Sequence, residues 1–137
     1  MEDTELEECL EAYATKGKGL KRGRGLWHRF SVFRCEQCEG QRFQAEAEIP
    51  IRSRSLCFVG VLSLHCSNCG TTRIAQRVTE GSSRRKETLT YRPTCKCGST
   101  EFLVADFELL FESDLEECSS YGACTRCGKC QLLANIK

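Results

Sequence analysis

A chain of 137 residues, 40% apolar and 28% charged, suffices for one ordinary domain or two very small ones and is too poor in apolar side chains for a generous core. Its 12 cysteines restrict it to a disulfide scaffold or a metal protein. No run approaches the ~18 apolar residues of a membrane-spanning helix.

The net charge of +1 conceals a strong segregation. Residues 1–15 carry six acids and no base, residues 16–92 carry sixteen Lys or Arg against six acids, and residues 101–117 carry seven acids and no base. The basic middle can attract polyanions. The opening MEDTELEE has neither the basic nor the apolar region of a secretory leader. The expectation is an intracellular protein whose thiols stay reduced and available to metal.

In chain order, Thr4-Glu5-Leu6-Glu7 has the form of a capping box, and Leu6, Leu10 and Tyr13 follow at helical spacing with Cys9 beside them. A short helix is predicted over about 4–14, ending near Gly17. Residues 15–25, TKGKGLKRGRG, interleave four glycines with Lys16, Lys18, Lys21, Arg22 and Arg24, which predicts a flexible basic arm. Leu26-Trp27-His28-Arg29-Phe30 opens the folded part.

Two stretches then read as one unit used twice. Cys35-x2-Cys38 is followed after 27 residues by Cys66-x2-Cys69-Gly70, and Cys95-x-Cys97 after 26 residues by Cys124-x2-Cys127-Gly128. Phe43 and Phe102 each stand five residues after the second cysteine of their pair. Phe43, Ala45, Ala47 and Ile49 alternate with polar residues up to Pro50, the pattern of a strand, and Leu56 to Leu64 forms a second apolar run. Phe102 to Phe111 is apolar enough for strand or helix. Gly81-Ser82-Ser83-Arg84-Arg85-Lys86 predicts a loop between the units. The resulting plan is a small zinc-stabilised, mostly β fold of duplicated zinc-ribbon-like units with a short N-terminal helix. Its parts are an acidic helix and basic arm over 1–25, a first unit with basic connector over 26–92, and a second unit with the acidic segment over 93–137.

Two thiolates held on one tight turn grip an ion, and a second pair brought back by a hairpin closes a tetrahedral shell. The first predicted set is Cys35, Cys38, Cys66 and Cys69. The second is Cys95, Cys97, Cys124 and Cys127, its shorter first turn relieved by Gly98. A competing set combines Cys118 or Cys97 with Cys124, Cys127 and Cys130, and Cys-x2-Cys-x2-Cys also resembles part of an iron–sulfur run, with Gln131 departing from the bacterial pattern. Two Zn2+ ions are the expected cofactors. Cys9 and Cys57 read as small buried apolar residues, His28 is likewise not read as a ligand, and His65, directly before Cys66, reads as a surface group or a support of the ligands.

Both quartets are complete, whereas catalytic zinc keeps one position for water. No HExxH, GxSxG, phosphate-cradling glycine loop or deaminase signature occurs, so no enzyme is expected. The basic arm runs into Trp27, Phe30 and Phe33 with Arg29 and Arg34 between them, a pairing of cations for phosphate with aromatic faces for unpaired bases. The candidate nucleic-acid contacts are Lys16, Lys18, Lys21, Arg22, Arg24, Trp27 and Arg29. Arg73, Arg77, Arg84, Arg85, Lys86 and Arg92 form a second basic set. The acidic segment 101–117 either shields the basic surface or meets the arm of another copy in a homo-oligomer.

A Gly/Arg/Lys stretch from Lys16 to Arg24 followed by cysteine pairs from Cys35 onward resembles the cysteine-rich proteins of rod-shaped plant RNA viruses, the benyviruses in particular. The resemblance covers about half the chain and is one of organisation. It implies suppression of host RNA silencing, with zinc-finger cysteines and basic residues both required, single-stranded or small RNA and host proteins as partners, and a nuclear, nucleolar and cytoplasmic location. The Cys95-Lys96-Cys97 pair and the extra C-terminal thiols depart from that organisation. The rival reading is a zinc-ribbon adaptor of transcription or ubiquitin machinery that docks basic proteins through its acidic segments. RING-type spacing fits poorly, because His65 abuts Cys66.

Overall fold

The computed structural model describes residues 2–17, 26–50, 61–77, 88–111 and 114–136. Over these residues it is mostly β, with one helix, α1 (Asp3–Gly17), and eight strands. These are β1 (Leu26–Val32), β2 (Arg42–Pro50), β3 (Val61–Cys66), β4 (Thr72–Arg77), β5 (Thr88–Tyr91), β6 (Glu101–Phe111), β7 (Asp114–Cys124) and β8 (Cys130–Ile136). They form one antiparallel sheet in the order β4-β3-β2-β6-β7-β8, with β1 added beside β6 and β5 beside β2. The connector at 81–86, the run 51–60 with Cys57, and the arm residues Lys18, Lys21, Arg22 and Arg24 lie outside the described residues.

The repeat seen in the sequence reappears as a two-fold arrangement. In the first unit β2, β3 and β4 are neighbours, and in the second β6, β7 and β8. Phe43 pairs with Cys66 across β2–β3 as Phe102 pairs with Cys124 across β6–β7. The units join where the two first strands run antiparallel with Phe43 directly opposite Phe102. Matching residues facing each other across an antiparallel pair define a local two-fold axis. Each lead strand also crosses to the other unit, β1 pairing Ser31 with Asp106 on β6 and β5 pairing Tyr91 with Ala47 on β2. Even the irregularities match, since Ala75 bulges between β3 and β4 where Leu133 bulges between β7 and β8.

β6 is the most buried strand. Phe102 and Val104 point into an inner core shared with Phe43, Ala45, Ala47, Leu62, Leu64 and Leu133. Leu103, Ala105 and Phe107 point to the opposite face, which α1 covers with Leu6, Leu10 and Ala14. This double burial explains why Phe102 to Phe111 shows no period-2 alternation in the sequence. Residues 6, 10 and 14 are four apart and form one stripe along the helix, each leucine contributing about 1.5–3 kcal/mol on burial. The sequence pattern had placed Tyr13 there. Instead Tyr13 is half exposed at the stripe's edge, its ring edge-on to Tyr121 at 5.8 Å. The helix also begins earlier than the capping-box reading implied. Leu6 N–H donates to Glu2 O, so Thr4 lies inside the first turn, while Asp3 accepts from Arg42 at 2.9 Å and ties the helix start to β2.

Among the described residues only the second unit is covered by a helix, for a reason written in the outward side chains of the first. The positions of the first unit that match Leu103, Ala105 and Phe107 are Gln44, Glu46 and Glu48. Such a face stays in water.

A buried polar chain marks the second unit. Gln76 Nε2 on β4 donates to Ser120 Oγ on β7, and Ser120 Oγ donates to Asp106 Oδ1 on β6 at 2.6 Å. The sheet therefore curls until β4 meets β7 across the inner core. The matching positions around the two-fold are Ala134, Leu62 and Ala47, all buried and apolar. Gln76 Oε1 has no partner among the described residues, which costs about 1–3 kcal/mol. Burial pushes the Asp106 carboxyl from 3.8 up to about 6, against the Ser120 and Gln76 hydrogen bonds and Arg73, which favour its charge, with Glu108 adding to the rise. A raised folded-state value means that the folded protein holds this proton more tightly than the unfolded chain. Stability is thus greatest below the unfolded value and falls as pH climbs through about 6. Asp106→Asn should stabilise the protein by about 3 kcal/mol at pH 7.5 and by roughly half as much at pH 5. Urea melts of both proteins across that range, in metal-saturated buffer, read the difference directly. A pH-independent difference would contradict the assignment.

Candidate metal centres

The eight predicted ligand cysteines form two clusters, Cys35, Cys38, Cys66 and Cys69 in one and Cys95, Cys97, Cys124 and Cys127 in the other. Within each, the four sulfur atoms lie within 4.8 Å of one another. The close pairs are Cys35–Cys69 at 3.5 Å, Cys38–Cys66 at 3.5 Å, Cys95–Cys127 at 3.4 Å and Cys97–Cys124 at 3.6 Å. A tetrahedron with metal–sulfur bonds of about 2.3 Å requires sulfur separations of about 3.8 Å. Four thiols crowded this closely fit one ion per cluster, so each cluster could hold a metal ion. The sulfurs sit partly buried beside the inner core, with one cysteine of each pair in it: Cys35, Cys66, Cys95 and Cys124.

Local backbone chemistry shapes each turn. Cys35, Cys66 and Cys124 each donate N–H to the carbonyl five residues on, at Gly40, Thr71 and Lys129, and accept from the amide four residues on, at Glu39, Gly70 and Gly128. The Cys95 turn makes the same two closures one residue sooner, to Ser99 and from Gly98. A one-residue-shorter turn therefore still presents both sulfurs. The residue after each second cysteine has positive φ: Glu39 at 63°, Gly70 at 80°, Gly98 at 95° and Gly128 at 80°. Three are glycine, which adopts this region freely, and Glu39 is the strained exception. Glu39→Gly should raise stability by about 1 kcal/mol, read as a higher melting temperature with unchanged metal content. A lower melting temperature would mean that the Glu39 side chain holds the turn.

Thiolates are the metal-binding form, and the surroundings favour them at Cys38, Cys69 and Cys124. At Cys35 the Cys38 and Gln37 amides are outweighed by burial and the Cys69 and Cys38 thiols, and the value rises to about 11. The Thr71 hydroxyl, 3.1 Å from Cys69 Sγ, and the Thr71 amide lower the Cys69 thiol to about 6. At Cys124 burial raises the pKa, but the Cys127 and Arg126 amides and the Cys97 and Cys95 thiols outweigh it, and the value falls to about 6. Cys38 is lowered by the Asn68 side chain and the Gly40 amide.

The remaining thiols stand apart. Cys130 faces α1 among the second core cluster, and burial raises it to about 11. Cys118 lies on β7 beside Gln76 Nε2 at 3.6 Å. The competing ligand sets built on Cys118 or Cys130 are therefore not assembled, and neither is the Cys124–Cys127–Cys130 run of an iron–sulfur type. Cys9 is exposed on α1, against the expectation of burial, because it falls off the 6–10–14 stripe. His65 is engaged with Thr72, Nδ1 to Oγ1 at 2.8 Å, and His28 stacks on Phe107 at 5.3 Å.

Of the candidate nucleic-acid contacts, Lys16 is exposed in the last turn of α1 and Trp27 is 68% exposed on β1. Arg29 is also exposed but pairs with Glu108 at 3.3 Å, so part of its charge is spent within the sheet. In the second basic set Arg73 lies over the Phe33 ring at 4.8 Å and Arg92 pairs with Glu46 at 3.0 Å. The acidic segment spans the double-faced strand β6 and the first residues of β7, with Glu101 bound by Thr125 and near Arg42. Its register with β1, β2 and β7 could not have been read from its charge. No described helix is long and apolar enough to cross a membrane.

Comparison with protein-family models, with curated proteins and with solved structures finds no match for this chain.

Proposed function

We propose that this chain is a zinc-stabilised RNA-binding regulator in which two Zn2+ ions hold the body and the basic arm with Trp27 engages single-stranded or small RNA. Four thiolates in a tetrahedron suit zinc, and complete shells leave no position for a reacting water, so the ions are structural and no catalysis is assigned. The observation that carries the RNA reading is Trp27. It is the one tryptophan, it is 68% exposed on a strand that pairs only with β6 among the described residues, and it stands two residues after the Gly/Lys/Arg run. An aromatic ring left in water beside a chain of cations contributes little to folding and is suited to stacking on an unpaired base, worth about 1–3 kcal/mol per base. Lys16, Lys18, Lys21, Arg22 and Arg24 supply phosphate contacts. Suppression of RNA silencing by sequestering small RNA, with nuclear and cytoplasmic residence, is the biological role that this chemistry and the sequence resemblance support.

Because there is one tryptophan, intrinsic fluorescence reports its stacking directly. Titration with a 20-nucleotide oligouridylate should quench the emission, and the affinity should fall steeply with salt through counterion release. Absence of quenching, or binding indifferent to salt, would overturn the reading.

A further inference from the structure

We infer that the outer tip of the second metal centre is a separate polyanion-contact surface, used with the arm to hold one RNA strand at two points. This inference rests on the RNA-binding reading above and deepens it. Residues 93–137 contain only four Lys or Arg, and three of them, Lys96, Arg126 and Lys129, belong to the two turns of this centre. Lys96 lies between Cys95 and Cys97, and Arg126 between Cys124 and Cys127. Those turns share one sulfur cluster, with Cys95–Cys127 and Cys97–Cys124 at 3.4 and 3.6 Å, so the two cations sit on the same tip. Lys129 closes the second turn through its carbonyl. All three side chains are exposed, and none has a carboxylate partner among the described residues.

The two-fold arrangement supplies an internal control. A divalent ion with four thiolates carries a net charge of about −2 at either centre. If the cations merely balanced that charge, the first centre would need them equally. Its matching positions are instead Glu36 and Gln37, Asn68 and Thr71, with Thr71 closing its turn as Lys129 does. Cations on the metal-binding turns themselves are thus peculiar to the second centre, whereas the first has its arginines beside the turns, Arg34 before Cys35 and Arg73 donating to Arg34 O. Exposed, unpaired cations of both Lys and Arg type on a rigid turn suit phosphate oxygens.

Position separates this surface from the arm. Cys124 is opposite Phe102 on β6, and Trp27 is opposite Leu110, eight residues further along the same strand. At ~3.3 Å per residue the two ends stand about 26 Å apart. A single strand of roughly eight stacked nucleotides spans that distance.

The test uses the full-length, metal-loaded chain and the same 20-nucleotide oligouridylate. Replacing Lys96, Arg126 and Lys129 together by Gln should weaken binding at least tenfold in low salt and reduce the slope of log K against log salt by about 2, three contacts at ~0.7 each. The single variants Lys96→Gln and Arg126→Gln should each lower the slope by about 0.7, and they test the idea even if the triple variant fails to load metal. Wild-type affinity and slope in these variants, with binding lost on neutralising the arm, would overturn the tip while leaving the RNA reading intact. No binding by the wild-type chain would overturn the RNA reading itself, and the tip with it.

Discussion

Removing metal with a strong chelator is expected to abolish the cooperative fold. Each centre pins the ends of strands that contribute to the inner core, and that core is small, its largest side chains being Phe43, Phe102 and a few leucines. Structural zinc contributes on the order of 10–16 kcal/mol of apparent folding free energy per site. A domain of this size keeps a net stability of only about 5–15 kcal/mol. Loss of even one ion therefore exceeds or matches the whole margin. Four deprotonated sulfurs packed within 4.8 Å would also repel one another once the cation left. Circular dichroism should show loss of the sheet signal on chelation and its return on adding zinc. Cys127→Ser should destabilise severely, whereas Cys130→Ser, outside both clusters, should keep both ions. A thermal melt unchanged by chelator would refute the metal account.

The second large effect is expected at the two-fold axis. Phe43 and Phe102 are fully buried, face each other across the junction of the units, and each pairs with a cysteine of one of the two sulfur clusters on its other side. Phe102→Ala should cost about 3–5 kcal/mol through lost burial and the cavity left behind. Phe43→Ala should cost a similar amount. Because the rings share one space, the double variant should cost less than the sum of the singles, with a coupling of about 0.5–3 kcal/mol. Chemical denaturation of the four proteins in a mutant cycle measures this. Strict additivity would mean that the units are stabilised independently despite sharing a sheet.

The cysteine turns were the most legible feature of the sequence, because metal geometry dictates local spacing and a tight turn then requires glycine at Gly70, Gly98 and Gly128. The strand over Phe43 to Pro50 was legible because one of its faces is buried and the other wet. β6 was not, since both faces are covered and alternation disappears. The exchanged lead strands β1 and β5 were invisible for a different reason. Their pairing is decided by partners 73 to 85 residues away for β1 and about 40 away for β5, as Ser31–Asp106 and Tyr91–Ala47 show. The Gln76–Ser120–Asp106 chain likewise joins three strands that no local pattern links. At α1 the periodicity indicated a helix but chose Tyr13 over Ala14, because alanine at a stripe position carries little hydrophobic signal even when it is fully buried. The duplicated cysteine spacing, finally, announced two similar units but not that their first strands would join in one sheet.

The central claim is that eight particular thiolates hold two ions and thereby make the fold. Native mass spectrometry of the purified, folded chain tests it most directly. The account expects a mass corresponding to two zinc ions per chain, with all cysteines reduced, two ions again in Cys130→Ser, and no folded two-ion species from Cys127→Ser. A folded chain carrying no metal, or one whose ligand cysteines are joined as disulfides, would contradict it.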